Sequence, residues 1–151
     1  MNLVKDYMMR TLNSVHWDDT IAHVIEFMHK TEMTVFPVVD DGNTFLGSFC
    51  TRNILKNVIP EEFGLMIGNM LLHGEDLAVE NMKELKDKKV HTFMSKASEV
   101  VRESDYMDSM SDVMLKSEEQ YVFVVNDENK LRGYISQADL LFYLLDCVGK
   151  C

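Results

Sequence analysis

The sequence predicts a mixed α/β (α+β) protein built from two copies of one β-α-β-β-α unit, joined by a helical connector. Three observations lead there. Two stretches read alike, Gly47-Ser48-Phe49-Cys50-Thr51-Arg52-Asn53 and Gly133-Tyr134-Ile135-Ser136-Gln137-Ala138-Asp139, and they lie 86 residues apart. Sliding the chain by that offset aligns 4–59 with 90–145 without a gap, and 13 of the 56 positions are identical. Within each copy the apolar pattern switches from helical period to short runs of β-formers. A fixed self-similarity decides an architecture before any local reading does.

Each element has a local reason. Val15 begins a brief extended piece. Asp18 and Asp19 then offer an N-cap and first-turn negative charge. Ile21, Val24, Ile25 and Met28 form one apolar stripe at helical spacing, and the helix should end near Lys30-Thr31. Val35-Phe36-Pro37-Val38-Val39 reads as a strand whose proline belongs at its start or on an edge. Asp40-Asp41-Gly42-Asn43 reads as a tight turn, with Asp-Gly suited to positive φ. Phe45 to Cys50 returns, and a helix opens at Asn53 with Ile54, Leu55, Val58 and Ile59 apolar before Pro60 closes it.

Residues 60–89 belong to neither copy. Phe63, Leu65, Met66, Met70 and Leu71 predict one helix, His73-Gly74 a break, and Leu77, Val79, Met82 and Leu85 a second helix. The second copy starts at Val90. Met107, Met110, Val113 and Met114 mark its first helix, Tyr121 to Val125 and Leu131 to Ser136 its hairpin. Its last helix spans about Gln137 to Asp146, with Leu140, Leu141, Leu144 and Leu145 apolar. The organisation is thus repeat one at 1–59, connector at 60–89 and repeat two at 90–151. Each small sheet lacks cover on one face, so the repeats should pack sheet to sheet about a pseudo-twofold axis.

The bulk properties narrow the function. A net charge of −10 on 151 residues disfavours nucleic acid and anionic membranes as partners. Three cysteines without a framework fit a reducing compartment, and no run is long enough to span a membrane, so a soluble cytoplasmic protein is expected. The twelve methionines fall on helical apolar faces, where they fill a core. No histidine or cysteine spacing fits a metal site, and no nucleophile, base or phosphate-loop motif implies an enzyme.

The ordered set of features, occurring twice, resembles a family. Met8, Phe36-Pro37-Val38-Val39-Asp40, Gly47 and Asn53-Ile54-Leu55 in the first copy look like a CBS domain. So do Met94, Val124-Val125-Asn126, Gly133-Tyr134-Ile135-Ser136 and Asp139-Leu140-Leu141 in the second. Two in tandem resemble a CBS pair, or Bateman module. The resemblance implies a non-enzymatic regulatory sensor that binds an adenosine-type ligand (AMP, ADP, ATP or S-adenosylmethionine) between the repeats. It also implies a homodimer and a separate regulated partner protein. The alternative is a ligand-free dimerisation or scaffold module.

The candidate ligand residues follow from that frame. A carboxylate at a helix start can accept from both ribose hydroxyls, and a hydroxyl three residues earlier can join the first-turn N–H groups in holding a phosphate. Ser136 and Asp139 have this spacing. Gly133, Tyr134, Ile135 and Val122 would line the base through strand backbone, and Tyr121 would stack on the base or, the favoured reading, pack in the core. In the first copy Cys50 and Asn53 replace the hydroxyl and the carboxylate, Arg52 could reach a phosphate, and Val35 and Phe36 occupy the strand. One good site at Asp139 and one weakened site are expected. Scarce basic residues favour AMP or S-adenosylmethionine over ATP.

Overall fold

The computed structural model describes residues 2–10, 13–59, 69–96, 99–117 and 120–149, and for 69–76 the backbone alone. In chain order come β1 (Val15–His16), α1 (Ile21–Thr31), β2 (Val35–Val39), β3 (Phe45–Cys50), α2 (Thr51–Val58) and α3 (Asn69–Leu85). There follow β4 (Val100–Arg102), α4 (Met107–Ser117), β5 (Tyr121–Val125), β6 (Leu131–Ser136) and α5 (Gln137–Val148). The strands form two three-stranded sheets, ordered β1-β2-β3 and β4-β5-β6. In the second sheet β4 runs parallel to β5, and β5 antiparallel to β6 with Tyr121 opposite Ser136.

The chain divides into two compact units that are discontinuous in sequence. One comprises 1–13, 41–45 and 97–151, the other 14–40 and 46–96. The segment before each repeat's first strand therefore belongs to the unit of the other repeat. In the first unit Val4 N–H donates to Asp105 O (2.8 Å) and Lys5 N–H to Glu103 O (3.0 Å). At the same offset, Val90 N–H donates to Asp19 O (2.9 Å) and His91 N–H to Trp17 O (3.2 Å) in the second unit. Val4 and Met8 are buried in the core with Met107, Met110, Met114, Val124 and Ile135. Val90 is buried in the core with Ile21, Val24, Phe36 and Phe49. Methionines do fill the first of these cores, as their helical spacing predicted.

The repeated glycines have a steric cause. Met9 pairs with Tyr134 and Ser95 with Ser48 as isolated antiparallel bridges. A Cβ at Gly133 would overlap the Met9 carbonyl oxygen, and one at Gly47 the Ser95 carbonyl oxygen. Only glycine lets the lead-in backbone come so close. The repeated Asp19 and Asp105 are explained as well. Each accepts the N–H three residues back, from His16 and from Arg102, both at 2.9 Å.

Several expectations are corrected. The α1 N-cap is Thr20, whose Oγ1 accepts from His23 N–H, because Asp19 is committed to His16. Positive φ falls on Asn43 (67°) and Asn129 (64°) rather than Gly42. In the unit that holds both, Asn43 Nδ2 donates to Leu131 O and Asn129 Nδ2 to Phe45 O, each at 3.0 Å, which fixes the left-handed residue. Pro37 lies in the central strand β2. Its missing donor coincides with a two-residue β1 that pairs only with Val38 and Val39, whereas β4 also pairs with Phe123, the counterpart of Pro37.

The helices differ too. His73-Gly74 does not break the connector helix, since one interior glycine costs only about 1 kcal/mol. The helix expected around Phe63 to Met66 lies outside the described residues. Helix α2 begins at Thr51, two residues before Asn53, whereas α5 begins at Gln137 as expected. On α5 the core-facing side is Leu140, Tyr143 and Cys147, while Leu141, Leu144 and Leu145 are exposed. Leu55, on α2, is exposed as well.

Candidate functional site

The Ser136–Asp139 stretch lies where β6 passes into α5. Gln137 N–H donates to Gln120 O (2.9 Å), which ties the helix start to the residue before β5. Ser136 is the N-cap: its Oγ accepts Asp139 N–H (3.1 Å), and Asp139 Oδ2 accepts Ser136 N–H (2.9 Å). This reciprocal capping box holds the carboxylate and hydroxyl side by side at the positive end of a twelve-residue helix. Asp139 Oδ1 has no hydrogen bond among the described residues, and both residues are only partly buried. The arrangement can accept two hydroxyls and present a hydroxyl donor beside helix N–H groups.

The other residues singled out in this repeat fall around that cap. Tyr121 stands opposite Ser136 in the ladder and half-buried. Its ring meets those of Tyr134 (5.7 Å) and Phe123 (5.8 Å) edge-on, so it forms a wall of three aromatic rings. Val122 and Ile135 are buried side chains, 2% and 0% exposed, and can offer only backbone to a ligand. Gly133 lies mid-strand in β6, three residues before Ser136, packed against the Met9 backbone.

The equivalent place in the second unit is built on the same backbone. Thr51 N–H donates to Thr34 O (2.9 Å), as Gln137 does to Gln120. The chemistry differs. Cys50 N–H and Cys50 Sγ both donate to Asn53 Oδ1, at 2.9 and 3.1 Å. The single acceptor oxygen of Asn53 is therefore occupied twice, and Cys50 makes no side-chain cap. Arg52 is exposed and makes no hydrogen bond or ion pair among the described residues. Val35 is half-buried and Phe36 fully buried, stacked on Phe27 at 4.9 Å.

Sequence reasoning missed a polar arrangement at the other end of α5. Tyr7 Oη donates to Asp146 Oδ2 (2.6 Å), and that bond, with desolvation behind it, pushes the phenol up to about 12. The Cys147 thiol beside Tyr143, with burial, pushes that phenol up too. No sequence spacing links residue 7 to residue 146. The signal was only that Val4 and Met8 repeat as Val90 and Met94, which marks the lead-in as part of the frame.

Comparison with known proteins places this geometry. The CBS domain model matches residues 4–60 and again 88–146. An uncharacterized protein of Methanocaldococcus jannaschii, MJ1426, is 23% identical over 155 residues, covering 95% of this chain and 91% of its own. A CBS domain-containing protein of unknown function from Bacillus anthracis superposes with a TM-score of 0.75 at 18% identity, over 95% of this chain and 93% of that one. The structure of CBSX2 in complex with AMP superposes at 0.70 with 20% identity, over 97% and 98%. Among the described residues no helix is long and apolar enough to cross a membrane. Two matched repeats, each with its own sheet and glycine contact, make the assignment: this chain belongs to the CBS domain family, as a tandem pair.

Proposed function

We propose that this protein is a regulatory module, not an enzyme, that binds an adenosine-type ligand at the Ser136–Asp139 cap and alters the activity of a separate partner protein. The observation that carries the reading is the capping box. It holds one carboxylate oxygen in place and leaves the other for ribose hydroxyls, beside the α5 N–H groups and the Ser136 hydroxyl. The AMP complex of the similarly folded CBSX2 supports the ligand class. The chemistry favours AMP or S-adenosylmethionine over ADP or ATP, because the stretches Cys50–Asn53 and Ser136–Asp139 carry a single basic residue, Arg52, and it stands in the altered copy. A thermal-shift panel of the four ligands tests this. A ligand at a hundred times its Kd should stabilise by about 2.7 kcal/mol, and Asp139→Ala should remove the shift while Asn53→Ala leaves it. No shift from any of the four at millimolar concentration sinks the reading.

A second reading, a ligand-free dimerisation module, is favoured by the self-satisfied Cys50–Asn53 pair and by the outer face of α5. There Leu141, Phe142, Leu144, Leu145 and Val148 are 51–74% exposed on one helix. Leu141 repeats as Leu55 on α2, 54% exposed, so an apolar residue recurs where no core requires it. A second copy of the chain is the proposed occupant in either reading. Light scattering should give a dimer, and Leu141→Glu with Leu145→Glu a monomer of unchanged melting temperature at low concentration. A monomeric wild type discards the dimer.

A further inference from the structure

We infer a second small-molecule site, for a phosphate-class oxyanion, in the polar cavity of the unit comprising 1–13, 41–45 and 97–151. The cavity holds about 370 Å3 and is bordered by the lead-in turn, the β4–α4 connection, the β5–β6 turn and the start of β6. Donors converge on it from all four segments: Lys5 and Arg10, Ser104, Asn126, and Arg132. It is separate from the Ser136–Asp139 cap. Arg132 and Ser136 lie near opposite ends of β6, roughly 13 Å apart along an extended strand.

Three of the chain's fifteen Lys and Arg residues gather here, on a protein of net charge −10. The Lys5 ammonium and the Ser104 hydroxyl have no hydrogen-bond or ion-pair partner among the described residues. Asn126 Oδ1 accepts the N–H groups of Glu128 and Lys130, both at 2.9 Å, which leaves its amide N–H groups as donors. Glu103, a quarter exposed, stands between the guanidiniums at long range, 3.9 Å from Arg10 Nη1 and 3.4 Å from Arg132 Nε. Such loose pairs hold the two forks near the cavity without saturating them, and guanidinium forks match tetrahedral oxyanions. Of the remaining acids, Asp127 faces Arg102 at 4.0 Å and, like Glu128, sits exposed at the turn.

The duplication supplies an internal control. Lys5, Glu103 and Arg132 correspond by the 86-residue offset to His91, Trp17 and Leu46. In the other unit Trp17 and His91 pack ring on ring at 5.1 Å on the same backbone hydrogen bonds. The fold therefore does not require the charged set, which is particular to one copy.

The probe is inorganic phosphate, titrated into the full chain at constant ionic strength and followed by amide chemical shifts. Saturable shifts should appear at Lys5, Ser104, Asn126 and Arg132, with the Ser136 and Asp139 amides still. Arg132→Leu, which installs the residue of the other repeat, should weaken binding about ten-fold or more with little change in melting temperature. Lys5→Ala should do the same if Arg132→Leu proves unstable. Linear shifts up to 10 mM phosphate, shifts that centre on Ser136 and Asp139, or binding indifferent to both substitutions would overturn the site, whereas adenosyl-ligand binding at the cap stands or falls separately, on the thermal-shift panel with Asp139→Ala.

Discussion

Single residues carry most of what the two repeats share. Gly47 and Gly133 are retained because the paired backbone occupies the place of a Cβ. Gly47→Ala and Gly133→Ala should each destabilise by about 1–3 kcal/mol, read as a lower melting temperature, since the obstacle is a carbonyl oxygen rather than a flexible side-chain end. A neutral result would show that the lead-in pairing is dispensable. Tyr7 makes a pH prediction. Its folded pKa, raised to about 12 by the hydrogen bond to Asp146, exceeds the ordinary value of 10.0. The neutral phenol is the bound form. Its contribution to stability is complete below pH 10 and lost as pH rises toward 12. Wild type should therefore lose stability over that window faster than Tyr7→Phe, and denaturant midpoints of the two between pH 9 and 12 measure the difference. Parallel curves would mean that the bond is absent in solution.

At the scale of elements, the two helices that follow the return strands separate what is fold from what is chemistry. Ser136 caps α5 with an accepting oxygen, while Cys50 at the same place on α2 gives its S–H to Asn53 instead. Ser136→Ala should cost about 1 kcal/mol, and Cys50→Ser should gain a few tenths to 1 kcal/mol by supplying an acceptor for Asn53 N–H. Thermal melts of both variants test the pair. A stabilised Ser136→Ala would mean that the hydroxyl is held for a ligand at the helix's expense. The hairpins, the helix before each of them and the Ser136/Asp139 pairing were legible in the sequence, because β-former runs and helical stripes are local signals. The orientation of α5 was not. Residues Leu140 to Leu145 are apolar all round, so period alone cannot choose the core side, and Tyr143 took it by reaching the Tyr7 ring at 5.2 Å. The site was half legible for a related reason: a hydroxyl followed three residues later by an acid is both a cap and a ligand motif, and the structure shows the capping role, which takes one oxygen of the carboxylate.

At the scale of the molecule, the lead-in segments are the feature that no local pattern could disclose. Residues 4–9 open the first repeat in sequence but complete the core of the second, and Val90 completes the core of the first. Hydrophobic periodicity says that Val4 and Met8 will be buried, not against what; the exchange is visible only when backbone partners are known. It makes stability run across the repeats. Met8→Ala removes a side chain 8% exposed from among Met107, Met110 and Ile135, and should cost about 2–5 kcal/mol. Amide hydrogen exchange should then quicken along β5 and β6, more than a hundred residues away in sequence, while α1 and β2 keep their protection. Val90→Ala should do the converse and loosen α1 and β2. If Met8→Ala instead exposes the amides of Ile21–Thr31 first, each lead-in belongs to its own repeat, and the exchange of segments between the two cores is wrong.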